Sequence, residues 1–68
     1  MAISYDKLWK MLIDKKMNKT QLKETAGIST NVVAKLGKNE SVTLGNMEKI
    51  CNSLQCNIGD VVEFVPND

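Results

Sequence analysis

The sequence contains no histidine and no arginine, one proline, and one residue each of tryptophan, tyrosine and phenylalanine. Without histidine, the chain lacks the usual general base and the commonest metal ligand. Its two cysteines, Cys51 and Cys56, have a spacing that fits neither a zinc site nor a Cys-x-x-Cys redox motif. A nucleophile paired with a base and a phosphate-binding glycine loop are also missing. We therefore expect no enzyme, no cofactor, no metal and no small-molecule ligand.

The length of 68 residues predicts a single domain, 1–68. Only about 60% of the surface of so short an unfolded chain is buried on folding, so every element must contribute to one core. No apolar run approaches the ~18 residues of a membrane span, and the first residues lack a signal-peptide pattern. Free thiols in a helix-rich chain indicate a reducing compartment. We expect a cytoplasmic protein with no membrane partner.

Charge is distributed unevenly along the chain, although the net charge is only +1. Residues 1–38 carry a net charge of +5, whereas residues 39–68 carry −4. A polyanion is therefore expected to meet the first half of the sequence. The alternative interpretation is that the lysines only solvate helix surfaces.

Four polar residues that precede apolar residues at helical spacing are predicted helix caps: Ser4, Asn18, Ser29 and Thr43. The helices that they open are expected over about 5–16, 19–26 and 30–36, and from 44 to about 54. The second and third helices are expected to end at Gly27 and Gly37, because glycine adopts a left-handed backbone without steric cost. In the fourth helix the predicted apolar face consists of Leu44, Met47, Ile50, Cys51 and Leu54.

Asn57 opens a fifth short element, which we expect as a helix from Ile58 to about Phe64 that runs into an extended tail before Pro66. The β-branched residues of this segment favour a strand instead, so both alternatives stand. The predicted fold class is all-α: a compact domain of five short helices with a short extended C-terminal tail.

The segment 18–36 has the pattern of a helix-turn-helix: two short helices, each with its own cap, joined by a tight turn at Gly27. In a DNA-binding unit of this kind, one helix lies across the DNA backbone and the next enters the major groove. The residues expected where the helices touch are all apolar: Leu22, Ala26, Ile28, Val33 and Leu36. Those expected to point outward from the second of the two helices are Thr30, Asn31, Ala34 and Lys35.

This segment resembles the helix-turn-helix of the Cro/CI-type (Xre) family, in which an apolar residue, a turn glycine, a further apolar residue and a serine cap recur at the spacing of Ala26-Gly27-Ile28-Ser29. The resemblance continues through Val42-Thr43-Leu44 and Ile58-Gly59-Asp60 and covers about 5–65. It implies a lambda-repressor-like five-helix fold and a DNA-binding transcriptional regulator. Lys23 stands where the family most often has alanine, so its long stem must extend out of the contact between the helices.

The resemblance also implies which residues contact DNA. The expected base-reading residues are Thr30, Asn31, Val32 and Lys35, since an asparagine amide can pair with adenine, a lysine can approach the acceptors of guanine, and a valine can touch a thymine methyl. The expected phosphate contacts, which fix register without reading sequence, are Asn18, Lys19, Ser29, Lys38, Thr43 and Asn46. The alternative interpretation is that these are ordinary helix-start residues and solvated surface lysines.

The predicted function is sequence-specific binding of double-stranded operator DNA, with repression by operator occlusion as the simplest mechanism. A module of this size usually reaches useful specificity as a symmetric dimer on a two-fold site. We expect a homodimer through the C-terminal third, whose apolar residues are Ile58, Val61, Val62, Phe64 and Val65. The alternative is an antitoxin-like or anti-repressor protein-interaction module, which is favoured by Lys23 and by the absence of arginine, the preferred bidentate reader of guanine.

Overall fold

The computed structural model describes residues 1–67 as a mainly helical domain with a small antiparallel sheet. Its elements in chain order are β1 (Ala2–Ser4), α1 (Asp6–Asp14), α2 (Lys19–Ala26), α3 (Thr30–Gly37), α4 (Leu44–Leu54), a 3-10 helix (Ile58–Asp60) and β2 (Glu63–Val65). The two strands pair so that Ala2 lies opposite Val65 and Ser4 lies opposite Glu63. Each helix within residues 1–67 is too short and too polar to cross a membrane.

One hydrophobic core joins all four α-helices and the segment before β2. Its buried side chains are Tyr5, Leu8, Leu12, Leu22, Ile28, Val32, Leu36, Met47, Ile50, Leu54 and Val61. Within α1 and α4 these residues recur three or four positions apart, so each helix buries one face. Full burial of such a side chain stabilises the fold by about 1.5–3 kcal/mol. The position of α3 is therefore fixed by the same core that holds the rest of the domain.

Local hydrogen bonds define the helix-turn-helix, and the predicted bounds of α2 are confirmed. The Asn18 side chain accepts a hydrogen bond from the Gln21 amide, and the Gln21 side chain accepts one from the Asn18 amide, both at 2.8 Å. Gly27 ends α2 in the left-handed conformation with φ 71°. Ser29 then caps α3 by accepting a hydrogen bond from the Val32 amide at 3.2 Å. These caps satisfy backbone groups that a helix end would otherwise leave unpaired.

Two helix ends and one predicted helix face differ from the sequence prediction. The cap position of α1 is Tyr5 rather than Ser4, although the Ser4 hydroxyl accepts a hydrogen bond from the Asp6 amide at 3.3 Å. Helix α3 includes Gly37 as its last residue and has Lys38 at the cap position, so it is one residue longer than predicted. In α4, Leu44 is 76% exposed and does not belong to the buried face.

The prediction of a fifth helix over Ile58 to about Phe64 is wrong. The chain makes one 3-10 turn over Ile58–Asp60 and then forms β2, while the predicted extended character of the tail is confirmed. The partner of β2 is β1, a strand that the sequence did not predict. Because β1 offers backbone donors and acceptors, the β-branched residues around Phe64 satisfy their own backbone groups in a ladder rather than in a helix.

Candidate nucleic-acid interface

Helix α3 presents one polar face to solvent and buries the other. Thr30, Asn31 and Lys35 are exposed, and the last two are four positions apart, so they lie on the same side of the helix. Leu36 is fully buried on the opposite side. The eight residues of α3 give a rod about 12 Å long. The helix therefore offers a short polar edge on a rigid support.

Val32 lies in the core rather than on this exposed face. Only 9% of its surface is exposed, and it falls four positions from both Ile28 and Leu36 in one buried stripe. Val33, which we expected at the contact between the helices, is partly buried against the core. We expected Val32 to touch a thymine methyl, but the burial of the Val32 side chain leaves little surface for such a contact. The candidates for base contacts on the exposed face are therefore Thr30, Asn31 and Lys35.

Two hydroxyl groups beside α3 are oriented by their capping bonds. The Ser29 hydroxyl accepts from the Val32 amide at 3.2 Å, and the Thr43 hydroxyl accepts from the Asn46 amide at 3.1 Å. Each oxygen thus already serves as an acceptor within the protein, and its own proton is directed elsewhere. Phosphate oxygens are hydrogen-bond acceptors, so both groups have the donor that a phosphate contact requires.

Lys23 reaches from α2 to the first residue of α3. Its ammonium group donates a hydrogen bond to the Thr30 hydroxyl at 3.2 Å, and the lysine is half-buried. The sequence predicted that the stem of Lys23 extends out of the helix contact but did not predict its partner. The one feature of the sequence that pointed to Lys23 was that a lysine stands where the family most often has alanine. The structure adds Lys23 to the group of polar residues at the first turn of α3.

A shallow groove of about 330 Å³ runs between α3 and the start of α4. It brings Lys35 together with Thr43 and Asn46, which the sequence had assigned to base and phosphate contacts respectively. Val32, Ser41 and Val42 also line it. Residues that are eight to eleven positions apart in the sequence thus share one surface, with a lysine at its edge.

Asn18 and Lys19 lie at the other end of α3, beside Gly37. The Lys19 ammonium group is 4.8 Å from the centre of the Trp9 ring, a cation–π contact worth about 0.5–1 kcal/mol at an exposed site. This contact holds the Lys19 charge near the start of α2. Lys38 is exposed immediately after α3. Asn18, Lys19 and Lys38 therefore lie near the last residue of α3, whereas Thr43 and Asn46 lie beside Lys35.

Tyr5 fixes the loop that follows α3. Its hydroxyl donates to the Glu40 carbonyl at 2.8 Å, and its backbone amide donates to the Asn39 side chain at 3.3 Å. Asn39 has a positive φ of 57°, a conformation that asparagine tolerates better than most residues. Burial raises the pKa of Tyr5 above its usual value, so the hydroxyl stays protonated and able to donate. The loop between Lys38 and Thr43 is thus attached to the core.

The two cysteines lie at the end of α4 and form no disulfide. Both are partly buried against the core. Burial raises the pKa of the Cys56 thiol, and the neighbouring Cys51 raises it further. Because the thiolate is the reactive form, these conditions suit a packing role better than a nucleophilic one.

Comparison with known proteins gives three matches. Residues 7–67 match the family described as the Cro/C1-type HTH DNA-binding domain. The chain is 39% identical over 56 residues to the HTH-type transcriptional regulator YozG of Bacillus subtilis (strain 168), a match that covers 79% of this chain and 67% of the relative. It also superposes on the crystal structure of the transcriptional regulator VanUg with a TM-score of 0.92 and 48% identity, covering 97% of this chain and 88% of the other.

Proposed function

Since the chain belongs to the Cro/C1-type helix-turn-helix DNA-binding family, we propose that it is a sequence-specific transcriptional regulator that represses by occupying operator DNA. The observation that carries this proposal is the two-sided character of α3. Asn31 and Lys35 are exposed on one face, while Leu36 holds the other face in the core. A helix anchored in this way can enter the major groove as a rigid reader.

Each proposed base contact follows from the chemistry of one side chain. The Asn31 amide has both a donor and an acceptor, which match the N6 and N7 groups of adenine. The Lys35 ammonium group has only donors, which match the O6 and N7 acceptors of guanine. Thr30 lies beside Asn31 and contributes a hydroxyl. Together these side chains, on the exposed edge of α3, would contact a few neighbouring bases.

The proposed phosphate contacts flank this reader on both sides. They are Asn18, Lys19, Ser29, Lys38, Thr43 and Asn46. The lysines supply charge, while the hydroxyl groups supply donors whose oxygens are already committed to helix caps. Contacts of this type fix the register and give an affinity that falls steeply with salt, because each neutralised phosphate releases counterions.

Occlusion is the mechanism that the dimensions of the molecule favour. The protein measures 34 Å along its longest axis, close to one turn of B-DNA, which is about 34–36 Å. A copy bound with this axis along the duplex would cover about one helical turn of promoter DNA. Two copies on adjacent half-sites would cover about twice that length and would block other proteins from it.

We also propose that the regulator binds as a homodimer through the C-terminal third. Of the apolar residues that we expected there, Val61 is fully buried in the core and is excluded from such a surface. Ile58 and Phe64 are 46% and 66% exposed, and with Leu44 they line one apolar groove. Exposed apolar side chains that converge in this way favour a protein contact. Sedimentation at tens of micromolar, with and without a two-fold DNA site, tests the dimer; a monomer under both conditions argues against it.

Selection of duplexes from a randomised pool, followed by binding of the preferred duplex, tests the regulator proposal. We expect Asn31→Ala and Lys35→Ala each to reduce sequence discrimination by about 1–3 kcal/mol while leaving salt-dependent, non-specific binding in place. The matched control is Lys38→Ala, which should weaken binding to all duplexes about equally and reduce the salt slope by ~0.9. Unchanged discrimination in Asn31→Ala and Lys35→Ala would contradict the proposal.

The second function that the sequence left open is a protein-interaction module. Lys23 was one of its two supporting features, but its ammonium group lies at Thr30 on the face proposed for DNA. The absence of arginine is the other feature, and here lysine and asparagine supply the polar contacts. An interaction module would show neither sequence preference nor a steep salt dependence in the same binding experiment.

A further inference from the structure

We propose that Lys23 is a positioning residue that biases the Thr30 hydroxyl toward donating a hydrogen bond to DNA. This inference rests on the proposed function, because it assigns Thr30 a definite role in reading a base edge. It concerns a lysine outside the set that the sequence assigned to DNA contacts, at a position where the family most often has alanine.

Lys23 spans the joint between the two helices. Its backbone carbonyl accepts hydrogen bonds from the amides of Gly27 and Ile28, at 3.0 and 3.2 Å, and so closes the end of α2. Its side chain then crosses to the start of α3, where the ammonium group lies 3.2 Å from the Thr30 hydroxyl oxygen. Thr30 itself is exposed. One residue thus connects the end of α2 to the first residue of the reading helix.

The direction of this hydrogen bond is fixed by chemistry. An ammonium group has three donors and no acceptor, so the Thr30 oxygen must accept. The hydroxyl proton then points away from Lys23 and is available to an outside acceptor. A threonine without such a neighbour can either donate or accept at a base edge. The Lys23 ammonium group occupies one of the two lone pairs of the Thr30 oxygen, and its positive charge disfavours a second donor beside it, so the hydroxyl favours an acceptor at the base edge.

In the major groove, a hydroxyl that donates distinguishes guanine from cytosine. Guanine presents the acceptors O6 and N7, whereas cytosine presents the N4 amino donor. With Lys23 in place, we expect the base that faces Thr30 to be a guanine or another acceptor, and cytosine to be disfavoured. Without the ammonium group, the hydroxyl can rotate and accept from the cytosine amino group, so discrimination at this base pair falls.

The test measures discrimination at the base pair that loses preference in Thr30→Val, using the duplex that the wild-type protein selects and its cytosine variant. Lys23→Met removes the ammonium group but keeps an unbranched stem, and we expect it to reduce discrimination at that base pair by about threefold to tenfold. In the Thr30→Val background the same substitution should cause no further reduction. Lys23→Arg, which retains a cationic donor, should restore most of the discrimination.

Lys23→Ala serves as a second variant with the residue typical of the family, and thermal unfolding shows that each variant is folded. The inference is overturned if Lys23→Met and Lys23→Ala weaken all duplexes by the same factor, or if their effects on discrimination are equal with and without the Thr30 hydroxyl. In either case the lysine acts as a simple charge. Wild-type protein that selects no sequence overturns the proposed function as well, so the two failures are distinguishable.

Discussion

The helix-turn-helix, residues 18–37, and the terminal sheet, formed by β1 and β2, are held together in opposite ways. In the helix-turn-helix, the capping bonds join residues only three positions apart. The sheet instead pairs Ala2 with Val65, near the two ends of the chain. The Tyr5 bonds to the loop after α3 likewise span 34 and 35 positions. The proposed reader is therefore organised locally, whereas the elements that brace it depend on the completed fold.

The two regions also differ in charge. The helix-turn-helix carries three lysines, Lys19, Lys23 and Lys35, against one acid, Glu24, and Lys38 follows directly. Strand β2 contributes an acid, Glu63, which forms an ion pair with Lys7 at 3.8 Å. Both of these side chains are well exposed, so the pair contributes little to stability. The helix-turn-helix is therefore net basic, whereas the terminal sheet carries one acid and no lysine.

The largest effect is expected from Leu22→Ala, which removes a fully buried side chain from the helix-turn-helix. The loss of transfer free energy and the resulting cavity should lower the free energy of unfolding by about 2–5 kcal/mol. Leu44→Ala is the matched control, since Leu44 is 76% exposed and should change stability by no more than ~0.5 kcal/mol. Urea unfolding measures both. Similar values for the two variants would mean that the helix-turn-helix does not share the core.

Gly27→Ala should have the next largest effect. Gly27 has φ 71°, and a Cβ there would meet no atom within 4 Å, so the whole cost comes from the backbone. A left-handed alanine costs about 1–2 kcal/mol. Gly59 also has open space around it but no positive φ, so Gly59→Ala should be neutral or stabilise by about 0.4–1 kcal/mol. Equal unfolding midpoints for the two variants would show that the turn conformation is not what Gly27 supplies.

The same comparison explains how much of the fold the sequence could predict. Asn18, Gln21 and Gly27 act on backbone groups within a few positions, so their pattern predicted α2 and its turn correctly. The segment after Asn57 was predicted as a helix because its partner strand, Ala2–Ser4, lies far away in the sequence. A strand of three residues has almost no periodic signal of its own. Only the folded core brings the two strands together.

In the candidate site, too, the sequence predicts what depends on neighbouring residues and not what depends on the completed fold. Exposure of Asn31 and Lys35 follows from helical periodicity and was predictable. The burial of Val32 was not, because Val32 and Val33 are both apolar neighbours and the core decides which one it encloses. The bond from Lys23 to Thr30 depends on the angle between α2 and α3, which no residue pattern specifies.

Ser29→Ala tests the contribution of a local cap, and its expected effect is smaller. Loss of the hydrogen bond from the Val32 amide should destabilise the protein by about 1 kcal/mol. Ser53 provides the control, because its hydroxyl only donates back to the Ile50 carbonyl within α4. Ser53→Ala should be nearly neutral, since alanine is the better helix former and such back-bonding stabilises little. A neutral Ser29→Ala would show that α3 is held by packing alone.

Tyr5→Phe tests the long-range bracing, with an expected effect close to that of Ser29→Ala. It removes the hydrogen bond to the Glu40 carbonyl and should lower the free energy of unfolding by about 0.5–1.5 kcal/mol near neutral pH. Burial raises the pKa of Tyr5 in the folded protein above the unfolded value of about 10. The contribution of the hydroxyl is therefore complete below pH ~10.

Above pH ~10 the unfolded chain ionises Tyr5 more readily than the folded protein does, so unfolding becomes more favourable as the pH rises through the folded pKa. The phenylalanine side chain has no such proton. The stability difference between wild type and Tyr5→Phe, measured by urea unfolding from pH 7 to 11, should thus be constant at first and then shrink. A difference that stays constant to pH 11 would mean that the Tyr5 hydroxyl is reached by solvent, and that the loop after α3 is braced by something other than this bond.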